Sequence, residues 1–422
     1  MDDPQRLRRV VEGLRSGIPY QEMAQAIVFG RESQITQLNR LMEQTEDARR
    51  PKFPAMVIRA HYGEGKTHLL QSFWGAAADR NWVVSYISLS KETPLDRLDQ
   101  IYPKIIDSTF VPGGKMAGIE SIVDEGLKAP QILAEARAME LSARVMAILD
   151  NLVAHNEGYP ELIQDISGTF LSAAELKRIY RGNFSRALKL ERTVMREEAF
   201  EYLRLVDWLI HRAGYQGWLI LFDEVELIGK FGRGARSRAY ASIGRLLNLS
   251  APHLLTVWAL ASNFLTDVIY QRNDQAAAPG WLQSRPKEQH LAAFCQEGIG
   301  ALVEAKSLEP LSRDQVDQLI MQIYSFHRDA YSWQPPQEPR DLIRLIRNLA
   351  PAQDTRLRTV VRLSLTILDI WFQYGVDPSL SIGQVEDEDL AEDQEKTGPA
   401  EGAHVDSKAP SPGNVYRADY LE

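Results

Sequence analysis

A single cysteine, Cys295, stands in 422 residues, so the chain can form no internal disulfide and no zinc site built on several cysteines. No apolar run approaches the roughly 18–20 residues that a membrane-spanning helix needs. The start, Met1-Asp2-Asp3-Pro4-Gln5-Arg6, opens on acid and lacks the apolar core of a secretion signal. The histidines show no metal-ligand spacing, and no Ser-His-Asp or Cys-His arrangement can be argued. These absences describe a chain for a reducing cytoplasm, with no membrane as partner.

Net positive charge is missing too: the formal balance is −9. From Gln384 onward there are eleven acidic residues against three Lys or Arg, which leaves 46 acidic and 45 basic residues for the body. The acidity is therefore concentrated at one end and does not exclude nucleic acid as a partner of the rest. There, helical periodicity gives way to acid, Pro, Gly and Ser, and 384–422 is expected to be a disordered tail.

What is present is the composition of a globular protein, 44% hydrophobic and 25% charged. The length exceeds what one core usually organises, so two packed units with appendages are expected. Leu7, Val10, Val11 and Leu14 share one helical face over 4–16; Ile35, Leu38, Leu41 and Met42 do so over roughly 31–48. Residues 55–58 read as a strand, 68–79 as a helix and 82–89 as a second strand, the βαβ grammar of a parallel sheet. Residues 94–215 are rich in Ala, Leu and Glu and poor in strand runs, which suits a helical insertion rather than a loop. Two more buried strands, 218–222 and 254–261, follow, and 311–374 carries only helices. The expected organisation is α/β: a parallel sheet with helices on both faces, its first half and the N-terminal helices in 1–93 and its second half in 216–306. The helical insertion occupies 94–215, an all-α lid 307–383 and the tail 384–422.

The stretch Ala60-His61-Tyr62-Gly63-Glu64-Gly65-Lys66-Thr67 lies between the first strand and its helix and fits the P-loop pattern at every position but the first, where Ala60 replaces Gly. Gly63 and Gly65 let backbone N–H groups curl round phosphates, with Tyr62, Glu64 and His68 alongside. Lys66 would reach the β- and γ-phosphates of ATP, and Thr67 would offer its hydroxyl to Mg²⁺ at a helix N-terminus. His68 is most simply a helix-face residue. Ala60 is expected to alter loop geometry slightly. Downstream, an apolar strand delivers Asp223-Glu224. Asp223 would hold Mg²⁺, and Glu224 would orient the attacking water. For Glu226, a salt bridge or supporting contact is a better reading than catalysis. At the end of the next strand, Asn263 is the first choice to sense the γ-phosphate and Ser262 the second. The segment Gly229-Lys230-Phe231-Gly232-Arg233-Gly234-Ala235-Arg236-Ser237-Arg238 reads as a flexible basic loop, either solvated or gripping a nucleic-acid backbone.

Gly30-Arg31-Glu32, about thirty residues before Lys66, resembles the Gly-Arg-acid motif of AAA+ proteins of the Orc and STAND types, which packs beside adenine; this implies nucleotide contacts for Gly30 and Arg31. The order of motif, P-loop, Asp-Glu strand, sensor strand and helical lid is that of an AAA+ module. More narrowly, the chain resembles the ATP-binding proteins of BREX bacteriophage-exclusion systems, of the BrxC/BrxD kind. The segments that carry this are 8–17, 62–70 and Ala213-Gly214-Tyr215-Gln216-Gly217-Trp218 running into Asp223-Glu224-Val225-Glu226. The resemblance implies an ATPase that assembles or remodels an antiphage complex. Its partners would be a helicase, a methyltransferase or a phosphatase-like protein, with non-specific DNA and further copies of itself. It also implies a lid arginine, Arg356 or Arg358, and an arginine acting in trans, Arg285 or Arg272. A STAND-type signalling switch and a nucleotide-binding scaffold without turnover are the alternatives, the latter disfavoured by the intact Asp223-Glu224 pair.

Overall fold

In the computed structural model, residues 3–16, 26–27, 30–46, 55–113, 118–128, 131–155, 158–191, 194–349 and 356–375 are described. The expected tail at 384–422 lies outside them. Met1–Val376 clusters as one compact unit.

Its centre is a six-stranded sheet in the order β3-β2-β4-β5-β1-β6. These are β1 Ala55–Ala60, β2 Val83–Ser88, β3 Thr109–Phe110, β4 Trp218–Asp223, β5 Leu254–Ala261 and β6 Lys306–Ser307. All neighbours are parallel except β2 and β3. β4 and β5 are buried along their whole length, as parallel strands covered on both faces must be. Alternation divides their side chains. Leu219, Leu221, Leu255 and Val257 join Leu69, Leu70 and Phe73 of the Lys66–Asp79 helix and Leu38 and Met42 of the Glu32–Glu46 helix. Trp218, Ile220, Phe222 and Trp258 face the opposite core, which is shared with the insertion. Phe222 and Trp258 are in register across β4 and β5, and their rings stack at 4.0 Å.

The two-residue strands β3 and β6 escape sequence reading because neither is long enough to show a period. The insertion is helical as expected, with seven helices from Leu98–Asp107 to Met195–Arg212 among the described residues. A buried ion pair braces it: Arg144 donates to Asp165 at 2.6 Å and to the Tyr202 hydroxyl at 3.0 Å, and the Leu171 N–H also reaches Asp165. The approach to β4 is tight. A Cβ at Gly217 would stand 2.6 Å from the His253 carbonyl oxygen and 2.7 Å from the Trp82 ring. Only glycine lets β2 and β4 begin side by side there.

The lid contains the helices Arg313–Tyr331, Pro339–Leu349 and Leu357–Tyr374. The first helix of the chain, Pro4–Ser16, packs on the first and last of these rather than on the sheet. Leu7, Val10, Val11 and Leu14 are its buried face, Arg8 donates to the Ala330 carbonyl, and Arg15 pairs with Asp369.

At the far end of the sheet from the loops, Asp207 is fully buried. One of its oxygens accepts the His253 N–H at 3.3 Å; the other has no partner among the described residues. Burial pushes its carboxyl from an ordinary 3.8 up to about 8. Between those values the folded chain keeps a proton that the unfolded chain has released, so stability should fall as pH rises from about 4 to about 8. Asp207→Asn, which mimics the protonated acid, should flatten that decline and add up to about 5 kcal/mol above pH 8. Denaturant midpoints across this range test it; parallel pH profiles for the two chains would contradict it.

Candidate active site

β1 runs two residues further than its apolar core suggests and ends at Ala60, in register with Ala261. Ala60 is therefore a buried strand residue whose carbonyl accepts the Ser262 N–H, and its Cβ fits an extended backbone without reshaping the loop. The turn itself is made by Gly63 (φ +83°) and Gly65 (φ +89°), left-handed positions that favour glycine. Glu64 turns its carboxylate back onto the His61 N–H at 2.7 Å and so braces the loop from within. Gly65 caps the Lys66–Asp79 helix and makes no side-chain capping bond, so no capping side chain competes with an anion for the first-turn N–H groups.

One strand, β5, separates β1 from β4, so Asp223 at the end of β4 faces the start of that helix. Asp223 is 1% exposed, and its carboxylate is fully engaged. One oxygen accepts from the Thr67 hydroxyl at 2.7 Å and the Tyr86 hydroxyl at 2.8 Å; the other accepts the Glu224 N–H at 2.9 Å. Tyr86 was not legible as a site residue. Its only signal is a ring hydroxyl one strand away from the acid, on an otherwise apolar and small-residue strand. Thr67 and Asp223 supply the hard oxygen donors that Mg²⁺ prefers.

Glu224 has φ +60° and ψ +35°, a left-handed conformation uncommon for a residue with a Cβ. Burial, then the charges of Glu226 and Asp223, push its carboxyl up to about 7 against the pull of Lys66 and Lys230. Glu226 is held between two elements. One oxygen accepts the Ala261 N–H at 3.0 Å, and the other lies 3.9 Å from the Lys66 ammonium. Lys66 is almost sealed, with the Tyr62 ring 5.9 Å away.

Asn263 is exposed and donates to Asp267 at 3.2 Å, and the Ser262 N–H goes to β1. The polar group that the end of β5 directs at Glu226 is thus a backbone N–H, that of Ala261. His68, expected on a helix face with nucleotide contacts, instead places its Nε2 2.6 Å from the Ile27 carbonyl oxygen. Burial lowers its pKa, so the neutral ring donates this bond and ties the chain at Ile27 to the first turn of the Lys66–Asp79 helix.

Arg31 is 6% exposed and spans three elements. It donates to the Glu64 carbonyl of the loop at 3.1 Å and to the Glu309 carbonyl at 2.7 Å, just before the lid. Gly30 lies beneath Leu311 and Gln315. From the other side, the N-terminus of the last lid helix rests on the loop: Arg356 packs on Gly63, Leu357 on Gly65, and Arg358 donates to the Tyr62 hydroxyl at 3.1 Å.

The basic segment 229–238 is not a flexible loop. It is the end of a short helical turn, Val225–Lys230, and the start of the Arg233–Leu247 helix. Arg236 is buried in a two-pronged pair with Asp274, both contacts at 2.8 Å, and Arg238 reaches Asp96 and Glu288. Lys230 and Arg233 are its exposed cations. Arg285 is exposed and stacks 3.5 Å over the Trp281 ring, and Arg272 donates to the Gly229 carbonyl.

The family described as BREX system ATP-binding protein BrxC/D matches over residues 3–183 and 177–375. The chain belongs to this family. No curated protein and no solved structure matches it. The BrxC/D match runs through the first helix, the loop, the acidic strand and the lid, and the last three of these meet at this site. Among the described residues, no helix is long and apolar enough to cross a membrane.

Because Arg31 joins loop and lid through two carbonyls, Arg31→Lys, with no fork to reach both, should destabilise the chain by about 1–2 kcal/mol. An unchanged thermal midpoint, and unchanged amide exchange at the start of the lid, would show that the bridge carries no weight.

Proposed function

We propose that the chain binds ATP with Mg²⁺ and hydrolyses it as an AAA+ ATPase. The observation that carries this is the convergence of Lys66, the Thr67–Asp223 contact and Glu224 around one loop whose helix N-terminus is open to phosphate. The backbone N–H groups of the loop and Lys66 would bind the β- and γ-phosphates. Thr67 and Asp223 would hold Mg²⁺, which neutralises phosphate charge when bound. Glu224 would accept a hydrogen bond from a water and turn it toward the γ-phosphorus. Attack forms the new P–O bond as the bond to the bridging oxygen of ADP breaks, giving ADP and inorganic phosphate. A carboxyl raised to about 7 is matched to taking up that proton near neutral pH. Arg356, which lies on the loop at Gly63, would meet the γ-phosphate from the lid. Asn263 would join only by turning from Asp267.

The use of this energy follows the family: turnover would assemble or remodel a BREX complex in the cytoplasm. A helicase, methyltransferase or phosphatase-like protein would be the partner, with DNA held non-specifically. The exposed, ring-stacked Arg285 favours a homo-oligomer in which it enters a neighbour's site.

Lys66→Ala should abolish nucleotide binding. Glu224→Gln should retain binding and lower kcat by about a hundredfold or more. Wild-type turnover in Glu224→Gln would refute its role. Size measurement with a non-hydrolysable ATP analogue checks the oligomer; a monomer with and without it would leave Arg285 no site to enter.

A further inference from the structure

The sheet places a further acid, Glu226, beside Lys66, and its contacts differ from those of the Asp-Glu pair. Glu226 stands in the turn after β4, half-buried, with one oxygen fixed by the Ala261 N–H at 3.0 Å. That bond points the other oxygen at Lys66 Nζ, 3.9 Å away. Among the described residues, no other carboxylate lies within 4.0 Å of that ammonium. Lys66 is itself almost sealed from water, and Glu226 is its ion-pair partner.

We propose that Glu226 is a positioning residue for Lys66: it holds the ammonium in the nucleotide-free site and competes with arriving phosphates for it, so that it weakens nucleotide binding and speeds release. The inference rests on the reading of the site as an ATP site. A phosphate chain that draws Lys66 forward must separate this pair and then sit near the carboxylate, which repels it. Both effects oppose the bound state. Neither depends on the nucleoside, so ATP and ADP are affected alike in kind, ATP more strongly because of its extra charge. Because Glu226 is anchored through the backbone of β5, it cannot swing away to relieve the repulsion without breaking the Ala261 bond. The end of β5 is thereby coupled to occupancy of the loop.

Glu226→Gln separates charge from structure, since the amide oxygen still accepts the Ala261 N–H in the same volume. In the full chain, binding of fluorescent ADP and ATP analogues should tighten about tenfold, mostly through slower release, and more for ATP. Unchanged or weaker binding by Glu226→Gln, at a wild-type melting temperature, would overturn the proposal. A second measurement needs no nucleotide. Lys66→Ala should change the stability of the nucleotide-free chain by different amounts in the wild-type and E226Q backgrounds. Additive effects would overturn the pairing even if E226Q alone folds poorly. If the wild-type chain binds neither analogue, the ATP reading fails, and the pair is decided by that coupling.

Discussion

A carboxylate that is 1% exposed must be satisfied from within, and Asp223 is satisfied by three separate parts of the chain. Thr67 brings the glycine loop and its helix, Tyr86 brings β2, and the Glu224 N–H brings the left-handed turn after β4. Each donor can arrive only if the parallel register of β1, β5, β4 and β2 is correct, because one residue of slip would send the strand-end groups to opposite faces. The stacked Phe222 and Trp258 rings and the close approach at Gly217 hold that register from the apolar side. The chemistry of the loop and the packing of the core are thus two views of the same alignment.

Much of this was legible in the residues. The apolar runs at 218–222 and 254–261 read as covered strands, and both are buried along their length; the glycines before Lys66 and Thr67 do stand between a strand and a helix. What was not legible came from contacts that cross the sequence. The roles of Tyr86 and His68 depend on which strand lies beside which, and the buried state of Arg236 depends on Asp274, far from the glycines that made its segment look loose. Asn263 was placed by its position at a strand end, but the chain turns immediately into helix there and gives its side chain a local partner, Asp267. Local composition describes a segment alone; burial is decided by what packs against it.

Arg31 shows the same lesson at the edge of the site. A guanidinium in the interior with carbonyls for partners, rather than a carboxylate, keeps its full charge close to the loop. It also makes the loop and the start of the lid neighbours, joined through one side chain. Glu226 performs the equivalent service between Lys66 and β5. The glycine loop is consequently braced by fixed charges of opposite sign on its two flanks.

The docking of Pro4–Ser16 on the lid has a consequence for synthesis. The apolar face of that helix is covered by Arg313–Tyr331 and Leu357–Tyr374, which are among the last of the described helices to leave the ribosome. At translation rates of about 5–20 residues per second, the helix waits roughly 20–70 seconds for its partners. During that interval Leu7, Val10, Val11 and Leu14 remain uncovered on the nascent chain. The lid is then closed by joining an early part of the chain to a late one, and the sheet with its loop can form before the helices that secure it exist.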